Sequence, residues 1–454
     1  MKAITTITYV FTLVGLGMLA GALYAYQDSR SFLASASRAD GTVIELLHDR
    51  SSDSSTYKPV VKKAKPDAAK VAVIGAGPSG LAAAHQLSLA GYPVTIFEKE
   101  RKAGGMLVCA IPAYRLPRET LQKEIDSLLN ENTELVLGKA FGRDFTIESL
   151  QKDGYKAIYI ATGSHKSKKL GLEGEDASGV IPGIKFLKAY SLDGEELAKG
   201  RVGIIGGGNS ALDAARVAIR QQAVSDVTIF YRRTRAEMPA YPEEIDAALE
   251  EGIKVVELVA PTRLVVEGDK LKAVEFIKNE LGERDASGRA RPVPVKGSEY
   301  AVELDTLIAA ISEDPESEPL AGLSVAKNGA LVVNAENYTA GRPGVFGGGD
   351  VVTGPNTVID SIAAGKNAAA MVDRYLSGKQ MKVLKRVKLP TVYIEPVAEP
   401  EEEGEPAHRV EHALLAARER QKNFREVELC PGAEAAQCEA RRCLRCDVEF
   451  TQPI

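Results

Sequence analysis

The sequence contains few cysteines, and their distribution excludes one large class of protein. Only five occur in 454 residues. Cys109 stands alone, and the others lie close together near the end, at Cys430, Cys438, Cys443 and Cys446. A secreted disulfide framework has an even number of dispersed cysteines. A reducing compartment therefore fits this sequence better.

An excess of positive charge is also absent. Lysine and arginine together number 57 against 62 aspartates and glutamates, which gives a net charge of −5. The electrostatic footprint of a nucleic-acid-binding protein is therefore missing. The five histidines are scattered, and His408 and His412 lie four residues apart beside an acidic run. We interpret this pair as a solvated helix start rather than a metal site.

Hydrophobic residues and glycines, in contrast, are plentiful. Hydrophobic residues make up 44% of the chain, enough to build real cores, and the length favours about three domains. Most of the 41 glycines lie in short clusters between apolar runs. Such clusters indicate tight turns at close backbone approaches, as in a globular multidomain protein.

The first apolar run, Ile4–Tyr26, contains no charged residue. It is long enough to cross a bilayer about 30 Å thick and predicts one transmembrane helix. A cleavable signal peptide is the alternative, because Lys2 precedes the run and Ala20–Ala22 is a possible cleavage site. Arg30 and Arg38 follow the run and favour a cytoplasmic C-terminal part. The expected location is the inner, cytoplasmic membrane, with a single pass.

A strand, a glycine-rich turn and a helix opening follow one another in the stretch Val71–Ala84. The turn has the pattern G-x-G-x-x-G, at Gly75, Gly77 and Gly80. In this pattern the first glycine permits the tight turn, the second lets the backbone approach a pyrophosphate, and the third lets the helix pack on the strand. The next strand, Pro93–Glu98, ends in a carboxylate placed to bind a ribose hydroxyl. The unit predicts a bound dinucleotide.

Two later stretches extend this first fold. Ala157–Gly163 reads as another buried strand ending in a small-residue turn, and Gly344–Asp350 as a strand and glycine run closed by an acid. A helix is expected at Thr357–Tyr375. An N-cap or turn role for Asp350 is the alternative to a ligand role.

The stretch Arg201–Asp213 repeats the strand, turn and helix pattern. Its turn follows G-x-G-x-x-A, at Gly206, Gly208 and Ala211. The next strand, Val227–Tyr231, ends in Arg232 and Arg233 instead of an acid. Guanidinium groups at this position suit the 2′-phosphate of NADPH, and a solvated basic turn is the alternative. Two dinucleotides are therefore implied.

Three stretches together carry a specific resemblance: Gly104–Pro117, Gly206–Asp213 and Tyr231–Ala240. They resemble the two-dinucleotide-binding flavoproteins, and more narrowly the group around the small (β) subunit of NADPH-dependent glutamate synthase. The likeness runs from about Val71 to Asp447, its last part out of the usual order. It implies that FAD binds the first fold and that an NADPH domain is inserted within the FAD domain.

The fingerprints and the resemblance together predict two sets of cofactor-binding residues. The first fold and its extensions supply Gly75, Gly77, Pro78, Ser79, Gly80, Glu98, Lys99, Gly105, Met106, Leu107, Arg115, Ala161, Thr162, Gly163, Gly349, Asp350, Thr357 and Val358. The second fold supplies Gly206, Gly208, Asn209, Ser210, Ala211, Arg232 and Arg233. One departure from the family is Ser312, which stands where a glycine is usual.

The fold class predicted is α/β, with two Rossmann-like domains and an N-terminal transmembrane helix. The N-terminal stretches Arg38–Leu47 and Tyr57–Val61 resemble the opening of a bacterial membrane-anchored β domain of unknown function. The expected order is a transmembrane anchor at 1–27, a truncated β-type segment and linker at 28–67, the FAD domain at 68–195 and 312–380, the NADPH domain at 196–311, a linker at 381–410, and a cysteine-containing segment at 411–454.

The cysteines are the residues from which the route of the electrons after the flavin can be predicted. Cys109 is interpreted as a small buried hydrophobe. The stretches Asn423–Leu429 and Glu439–Asp447 resemble a segment that precedes the flavin domain in glutamate synthase small subunits and opens an iron-sulfur ligand run. Cys443 and Cys446, with Cys430 and Cys438 at unfamiliar spacing, are candidate metal ligands for one [4Fe-4S] cluster or zinc. Three alternatives are left for this segment: a complete cluster within the chain, a site completed by a partner, and a remnant that binds no metal.

The sequence therefore predicts an NAD(P)H-dependent FAD oxidoreductase. It would transfer hydride from NADPH to FAD and pass electrons to an iron-sulfur partner or a ferredoxin. Hydride transfer needs positioning more than an acid or base, so no general acid is assigned. The alternatives are a membrane-tethered nucleotide-binding scaffold without turnover and a disulfide reductase using Cys443 and Cys446.

Overall fold

The computed structural model describes residues 45–51, 54–60, 68–284, 288–382, 410 and 413–441. The expected transmembrane helix at 4–26, the histidine pair 408 and 412, and the thiols of Cys443 and Cys446 lie outside these ranges. Among the described residues, no helix combines the length and apolar character needed to cross a membrane. An N-terminal unit contains one antiparallel hairpin, Glu45–Ser51 with Ser54–Val60.

The first dinucleotide fold is built on a sheet of five parallel strands. Their order across the sheet is Val345–Gly347, Tyr155–Ile160, Lys70–Ile74, Val94–Glu98 and Thr133–Leu137. The central strand is a continuous apolar run from Val71 to Ile74, and all four side chains are buried. Such runs are typical of parallel strands that are covered on both faces. The sequence prediction of this strand is confirmed.

Helices cover both faces of this sheet. They are Pro78–Leu89, Met106–Cys109, Arg118–Leu128, Ile147–Lys152, Asp350–Thr353 and Val358–Leu376. The first begins with proline at its first position, after the cap residue Gly77, where proline costs no hydrogen bond. The last is capped by Thr357, whose hydroxyl accepts a hydrogen bond from the amide of Asp360 at 3.1 Å.

The second dinucleotide fold has its own five-stranded parallel sheet. Its order is Lys254–Val256, Val224–Phe230, Gly200–Ile205, Thr306–Ala309 and Val180–Pro182. The edge strand Val180–Pro182 lies before residue 196, where the NADPH domain is expected to begin. This sheet therefore includes residues from an earlier part of the chain. The helices around it are Gly183–Lys188, Asn209–Ala218 and Pro242–Glu250, with a π-helical turn at Ala189–Asp193 and a 3-10 turn at Arg235–Glu237.

An antiparallel sheet extends the second fold. Its strands are Val259–Glu267, Lys270–Arg284, Ala290–Pro294 and Tyr300–Glu303. Phe230 of the parallel sheet stacks on Phe276 of this sheet, with ring centroids 4.2 Å apart. The two sheets therefore share one hydrophobic core.

Two connections join the folds and run side by side. Lys166–Ser167 on the outgoing connection pairs antiparallel with Glu313–Asp314 on the returning one, and a 3-10 turn follows at Glu318–Leu320. Ser312 has a φ of 116°. This region of the Ramachandran map favours glycine, which explains why a glycine is usual at this position.

The C-terminal segment, residues 413–441, packs on the second fold. It contains the short helices Ala417–Arg420 and Ala433–Arg441. Phe424 stacks on Tyr190 with centroids 4.3 Å apart, and the amide of Val427 donates to the carbonyl of Tyr114 at 3.0 Å. These contacts hold the stretch before the cysteines against the second dinucleotide fold.

Candidate functional site

A deep cleft opens at the carboxyl edge of the first sheet, where ligands of open α/β sheets bind. The space within it, including the part that is open to solvent, is about 1090 Å³. Most of the residues predicted for the first fold line it: Gly75, Gly77, Pro78, Ser79, Glu98, Lys99, Gly105, Met106, Leu107, Ala161, Thr162, Gly163, Asp350 and Val358. Gly80, Gly349, Thr357 and Arg115 do not line the cleft.

Gly80 and Gly349 support the turn from behind the cleft surface. A Cβ on Gly80 would lie 1.9 Å from the carbonyl oxygen of Gly75, so only glycine permits this contact between helix and turn. A Cβ on Gly349 would lie 2.8 Å from the Cβ of Ser79. Gly77 differs, because its nearest neighbour would be the Cα of Gly105 at 3.8 Å. A Cβ on Gly105 would in turn lie 2.8 Å from the Cα of Gly77, so the two glycines permit a close backbone contact at the wall of the cleft that both line.

The acid at the end of the second strand is held rigidly. The Glu98 carboxylate accepts hydrogen bonds from the amides of Ala76 at 2.7 Å and Glu100 at 2.9 Å. Its side chain is buried, and burial raises its pKa above the ordinary value. Two backbone donors therefore fix its orientation at the wall of the cleft.

These observations test whether the cleft fits a flavin dinucleotide. The 12-residue helix Pro78–Leu89 begins after its N-cap Gly77 at the wall of the cleft, and the free amides of a helix N-terminus suit a pyrophosphate. Glu98 offers a fixed carboxylate for a ribose. Asp350 accepts a hydrogen bond from the Ser361 hydroxyl at 2.9 Å, and burial raises its pKa. The residues present fit FAD.

One end of the cleft contains residues that the motifs did not identify. Lys139, Ala140 and Phe141 line it, together with His165, Glu316 and Pro319. The first three follow the strand Thr133–Leu137, so the rule that ligands bind at the carboxyl ends of strands would have found them. The Lys99 ammonium lies 3.1 and 3.2 Å from the two Glu316 carboxylate oxygens. Burial lowers the pKa of His165 to about 4.

The turn of the second fold has the same construction. Gly206 has a φ of 148°, and a Cβ there would lie 2.2 Å from the carbonyl oxygen of Ala310. Gly208 is open, with the nearest atom, a Pro239 ring carbon, at 3.9 Å. The Asn209 side chain accepts a hydrogen bond from the amide of Tyr241 at 3.1 Å. Ser210 is half-buried beside Asn209, and Ala211 is fully buried beneath the turn.

The two arginines after the second strand differ in position. Arg232 is exposed. Arg233 is buried, and its Nε donates to the carbonyl of Ala290 at 2.7 Å. The structure thus directs Arg233 toward the antiparallel sheet, and Arg232 alone of the two presents an exposed side chain.

Arg115 contacts the second fold and not the cleft. Its Nη1 lies 3.0 Å from both carboxylate oxygens of Asp213, and its Nε lies 3.0 Å from Glu244. Asp213 is buried, and burial raises the pKa of its carboxyl to about 6 despite the adjacent guanidinium.

The described cysteines show no redox pair. Cys109 is fully buried, and burial raises the pKa of its thiol to about 11, in line with its interpretation as a small hydrophobe. Cys430 and Cys438 are exposed. Within the described ranges, no group of three or more histidine, cysteine or acidic side chains is placed to hold a metal ion.

Two parallel sheets in one chain, each with a glycine turn at its carboxyl edge, are typical of proteins that bind two dinucleotides. Residues 69–365 match the family described as pyridine nucleotide-disulphide oxidoreductase. The chain belongs to that family. The predicted class, an NAD(P)H-dependent oxidoreductase, is confirmed.

Curated relatives narrow the resemblance. The chain is 43% identical over 388 residues to the NADP(+)-dependent formate dehydrogenase subunit beta of Moorella thermoacetica, covering 83% of this chain and 54% of that one. It is 38% identical to the NADPH-Fe(3+) oxidoreductase subunit beta of Geobacter sulfurreducens, covering 83% and 61%. It is 33% identical to the glutamate synthase [NADPH] small chain of Escherichia coli, covering 74% of each. The chain therefore spans less than two thirds of the first two relatives, and the glutamate synthase resemblance is confirmed.

Solved structures agree on the fold. FprA of Mycobacterium tuberculosis in complex with NADPH matches with a TM-score of 0.58 at 17% identity, over 68% of this chain and 85% of that one. A thioredoxin reductase of Lactococcus lactis matches with a TM-score of 0.52 at 20% identity, over 68% and 99%. The predicted α/β dinucleotide-binding architecture is confirmed.

Proposed function

We propose that this protein takes hydride from NADPH onto FAD and passes the electrons to an electron-accepting protein. One observation carries the proposal. One chain contains two glycine turns: the first lines a cleft together with the fixed acid Glu98, and the strand after the second leads to the exposed Arg232. Such a pair of sites suits two dinucleotides of different chemistry.

The chain's own work is binding and positioning. Glu98 and the turn at Gly77 would hold the adenosine and pyrophosphate parts of FAD, and Asp350 and Val358 line the same cleft. FAD, when bound, supplies the hydride-accepting ring and the means to release electrons onward. No acid or base is needed for hydride transfer itself, so alignment and exclusion of water are the protein's contribution.

NADPH is favoured over NADH by the second turn. The next strand after this turn, Val224–Phe230, leads to Arg232, where an NADH-binding fold carries an acid. A guanidinium group makes charge-assisted hydrogen bonds with a phosphate. The names of the relatives also refer to NADP(+) or NADPH.

An electron-accepting partner is supported by those same names. Two relatives are called subunit beta and one small chain, so each belongs to an assembly. We infer that this chain likewise delivers electrons to a partner subunit carrying an iron-sulfur centre, or to a ferredoxin.

An anaerobic titration tests the input side. Purified protein with its FAD is titrated with NADPH and then, separately, with NADH, and the flavin absorbance is followed. We expect bleaching by NADPH at much lower concentration than by NADH. Protein that binds no flavin, or flavin that NADPH does not bleach, would refute the proposal and leave a binding scaffold without turnover.

A disulfide reductase is the second candidate. Its support is the spacing of Cys443 and Cys446, whereas Cys109 near the cleft is buried with a raised thiol pKa. A double change of Cys443 and Cys446 to serine decides the point. Unchanged reduction of the acceptor excludes this reading.

We also propose that Cys443 and Cys446 ligate an iron-sulfur cluster together with a partner's residues. The support is their resemblance to an iron-sulfur ligand run. The described thiols, Cys430 and Cys438, form no group with other ligands, so this chain's described residues do not make a complete site. Iron and sulfide analysis of the chain, alone and with its partner, is the test. Iron bound in neither case contradicts the proposal.

For residues 4–26 we propose a membrane anchor, on the support of their uncharged apolar composition. The part that binds the cofactors then lies on the cytoplasmic side. Fractionation of cells expressing the chain with and without residues 1–27 is the test. An equal distribution of the two forms between membrane and supernatant would exclude the anchor.

A further inference from the structure

The short helix Met106–Cys109 and the loop that follows it, residues 106–117 in all, touch both the cleft of the first fold and the core of the second. We call this stretch the connecting loop. At its start, Met106, Leu107 and Ile111 line the cleft of the first fold. At its end, Tyr114 is buried in the hydrophobic core of the second fold. A few residues of the connecting loop thus join the cleft of the first fold to the core of the second.

The cleft end of the connecting loop is fixed by Arg118. Its guanidinium donates to the carbonyl of Leu107 at 2.7 Å and to the carbonyl of Ile111 at 2.6 Å. The amides of Arg115 and Leu116 both donate to the carbonyl of Pro112 at 3.1 Å. These bonds close the loop into a compact turn, so a displacement at one end is transmitted to the other.

The other end is fixed by aromatic and ionic contacts. The guanidinium groups of Arg216 and Arg220 lie over the Tyr114 ring, 4.6 and 4.3 Å from its centroid. Arg115 binds both oxygens of Asp213 at 3.0 Å and the Glu244 carboxylate at 3.0 Å. A guanidinium is suited to this because its planar fork can serve two carboxylates in a fixed geometry.

Asp213 links this contact to the second nucleotide turn. It lies on the helix Asn209–Ala218, which begins directly after Gly208. Asp213 therefore lies about one helical turn beyond Asn209. A continuous path runs from the cleft through Ile111, Arg115 and Asp213 to the turn of the second fold.

From this path we infer that Arg115 is a positioning residue that sets the second dinucleotide site in register with the first. The inference rests on the proposed function. Hydride transfer requires the two reacting rings to be aligned at close contact, and a misplacement of about 1 Å can cost about a hundredfold in rate. Arg115 acts through Asp213 and contributes no contact to the cleft.

The test compares R115Q and R115K with the exposed ion-pair variant R263Q. Arg263 pairs with Glu275 on the antiparallel sheet, far along the chain from the connecting loop. We expect R115Q to slow the limiting rate of anaerobic flavin reduction by NADPH about tenfold to a hundredfold. FAD content and the dissociation constant for NADP+ stay within about twofold of wild type, because neither turn is altered.

R115K keeps the charge but cannot span both carboxylates, so its rate is expected between those of R115Q and wild type. If R115Q does not fold, R115K decides the question alone. A limiting rate within about twofold of wild type in every folded Arg115 variant overturns the inference. A loss of rate that merely follows loss of FAD or NADP+ binding also overturns it.

Hydrogen exchange provides a readout that needs no turnover. In R115Q we expect faster amide exchange in the connecting loop and in the helix Asn209–Ala218, with no such change in R263Q. Unchanged exchange in these two segments contradicts the inference. Because this measurement works on protein without activity, failure of NADPH to bleach the wild-type flavin would refute the proposed function while the role of Arg115 is still tested.

Discussion

The carbonyl oxygen of Ser312 accepts a hydrogen bond from the amide of Lys168 at 3.0 Å. The bond lies where the two connections between the dinucleotide folds pair. Ser312 makes this contact with a φ of 116°, a conformation that costs a non-glycine residue about 1–3 kcal/mol. The pairing of the two connections thus retains a strained serine.

Replacement of Ser312 by glycine is expected to stabilise the protein. The strain is removed, and the greater backbone freedom of glycine in the unfolded chain offsets part of the gain, leaving about 1 kcal/mol. Urea unfolding measures the change. Ser167→Gly, on the paired strand, is the control and should destabilise by about 0.5–1 kcal/mol. Equal destabilisation by both changes would contradict the strain at Ser312.

Gly80→Ala should disrupt the first dinucleotide fold. The added Cβ would lie 1.9 Å from the Gly75 carbonyl oxygen, so the helix must move away from the turn. We expect a loss of about 3 kcal/mol or more in unfolding free energy, together with loss of FAD from the purified protein. Gly432→Ala is the matched control, because nothing lies within 4 Å of its Cβ position. Retention of FAD by Gly80→Ala would show that the turn tolerates a side chain.

Glu316→Gln should accelerate release of FAD. Glu316 pairs with Lys99, and both residues line the cleft. Loss of the ion pair leaves the side chains of residues 99 and 316 free to move away from the cleft wall. Because the pair is partly exposed, the effect corresponds to at most about 1 kcal/mol, or about fivefold in the release rate. Recovery of flavin fluorescence on dilution measures it. Glu318→Gln, which breaks the surface pair with Lys166, should release FAD at the wild-type rate.

Arg232→Ala should reduce the preference for NADPH over NADH. Its exposed guanidinium is the group expected to bind the 2′-phosphate, and a hydrogen bond between charged groups contributes about 1.5–3 kcal/mol, or roughly tenfold to a hundredfold in affinity. The KM for NADPH should rise by that factor while the KM for NADH stays unchanged. Arg235→Ala, which removes a surface pair with Asp246, is the control. An equal rise of both KM values would place Arg232 outside the 2′-phosphate site.

The unfolding free energy of the protein without flavin should depend on His165 at acidic pH. Burial, reinforced by the Lys99 charge, lowers the pKa of His165 from 6.5 to about 4. Between about pH 6.5 and pH 4, the unfolded chain therefore binds a proton at His165 that the folded protein does not bind. The unfolding free energy falls as the pH is lowered through this range.

His165→Gln removes this proton uptake. Between about pH 7 and pH 4.5, its unfolding free energy should fall by about 2 kcal/mol less than that of wild type. Urea unfolding at a series of pH values measures the difference. Parallel pH profiles for the two proteins would show that His165 is not held neutral by the fold.

The two glycine turns could be predicted from sequence because their signals are local. Gly75, Gly77 and Gly80 lie within six residues, directly after an apolar strand and at the start of a helix. Each requirement is steric and is met by neighbours in the chain. The same holds for Glu98, which ends the adjacent strand.

The role of Arg115 could not be predicted in this way. Its partner Asp213 is 98 residues further along the chain, and only the packing of the two folds brings them together. The inward position of Arg233 has a weak local signal, since Tyr231 and Arg233 are buried and Arg232 between them is exposed. Alternation of this kind is typical of extended chain.

The side-by-side pairing of Lys166–Ser167 with Glu313–Asp314 bears on the evolution of this chain. The second fold leaves and rejoins the first at neighbouring points, so a parent gene could have acquired it as one insertion with little disturbance to the host sheet. A shortened chain that joins Ser167 directly to Glu313 would then retain the complete first sheet. The second fold therefore interrupts the first in sequence but not in its sheet.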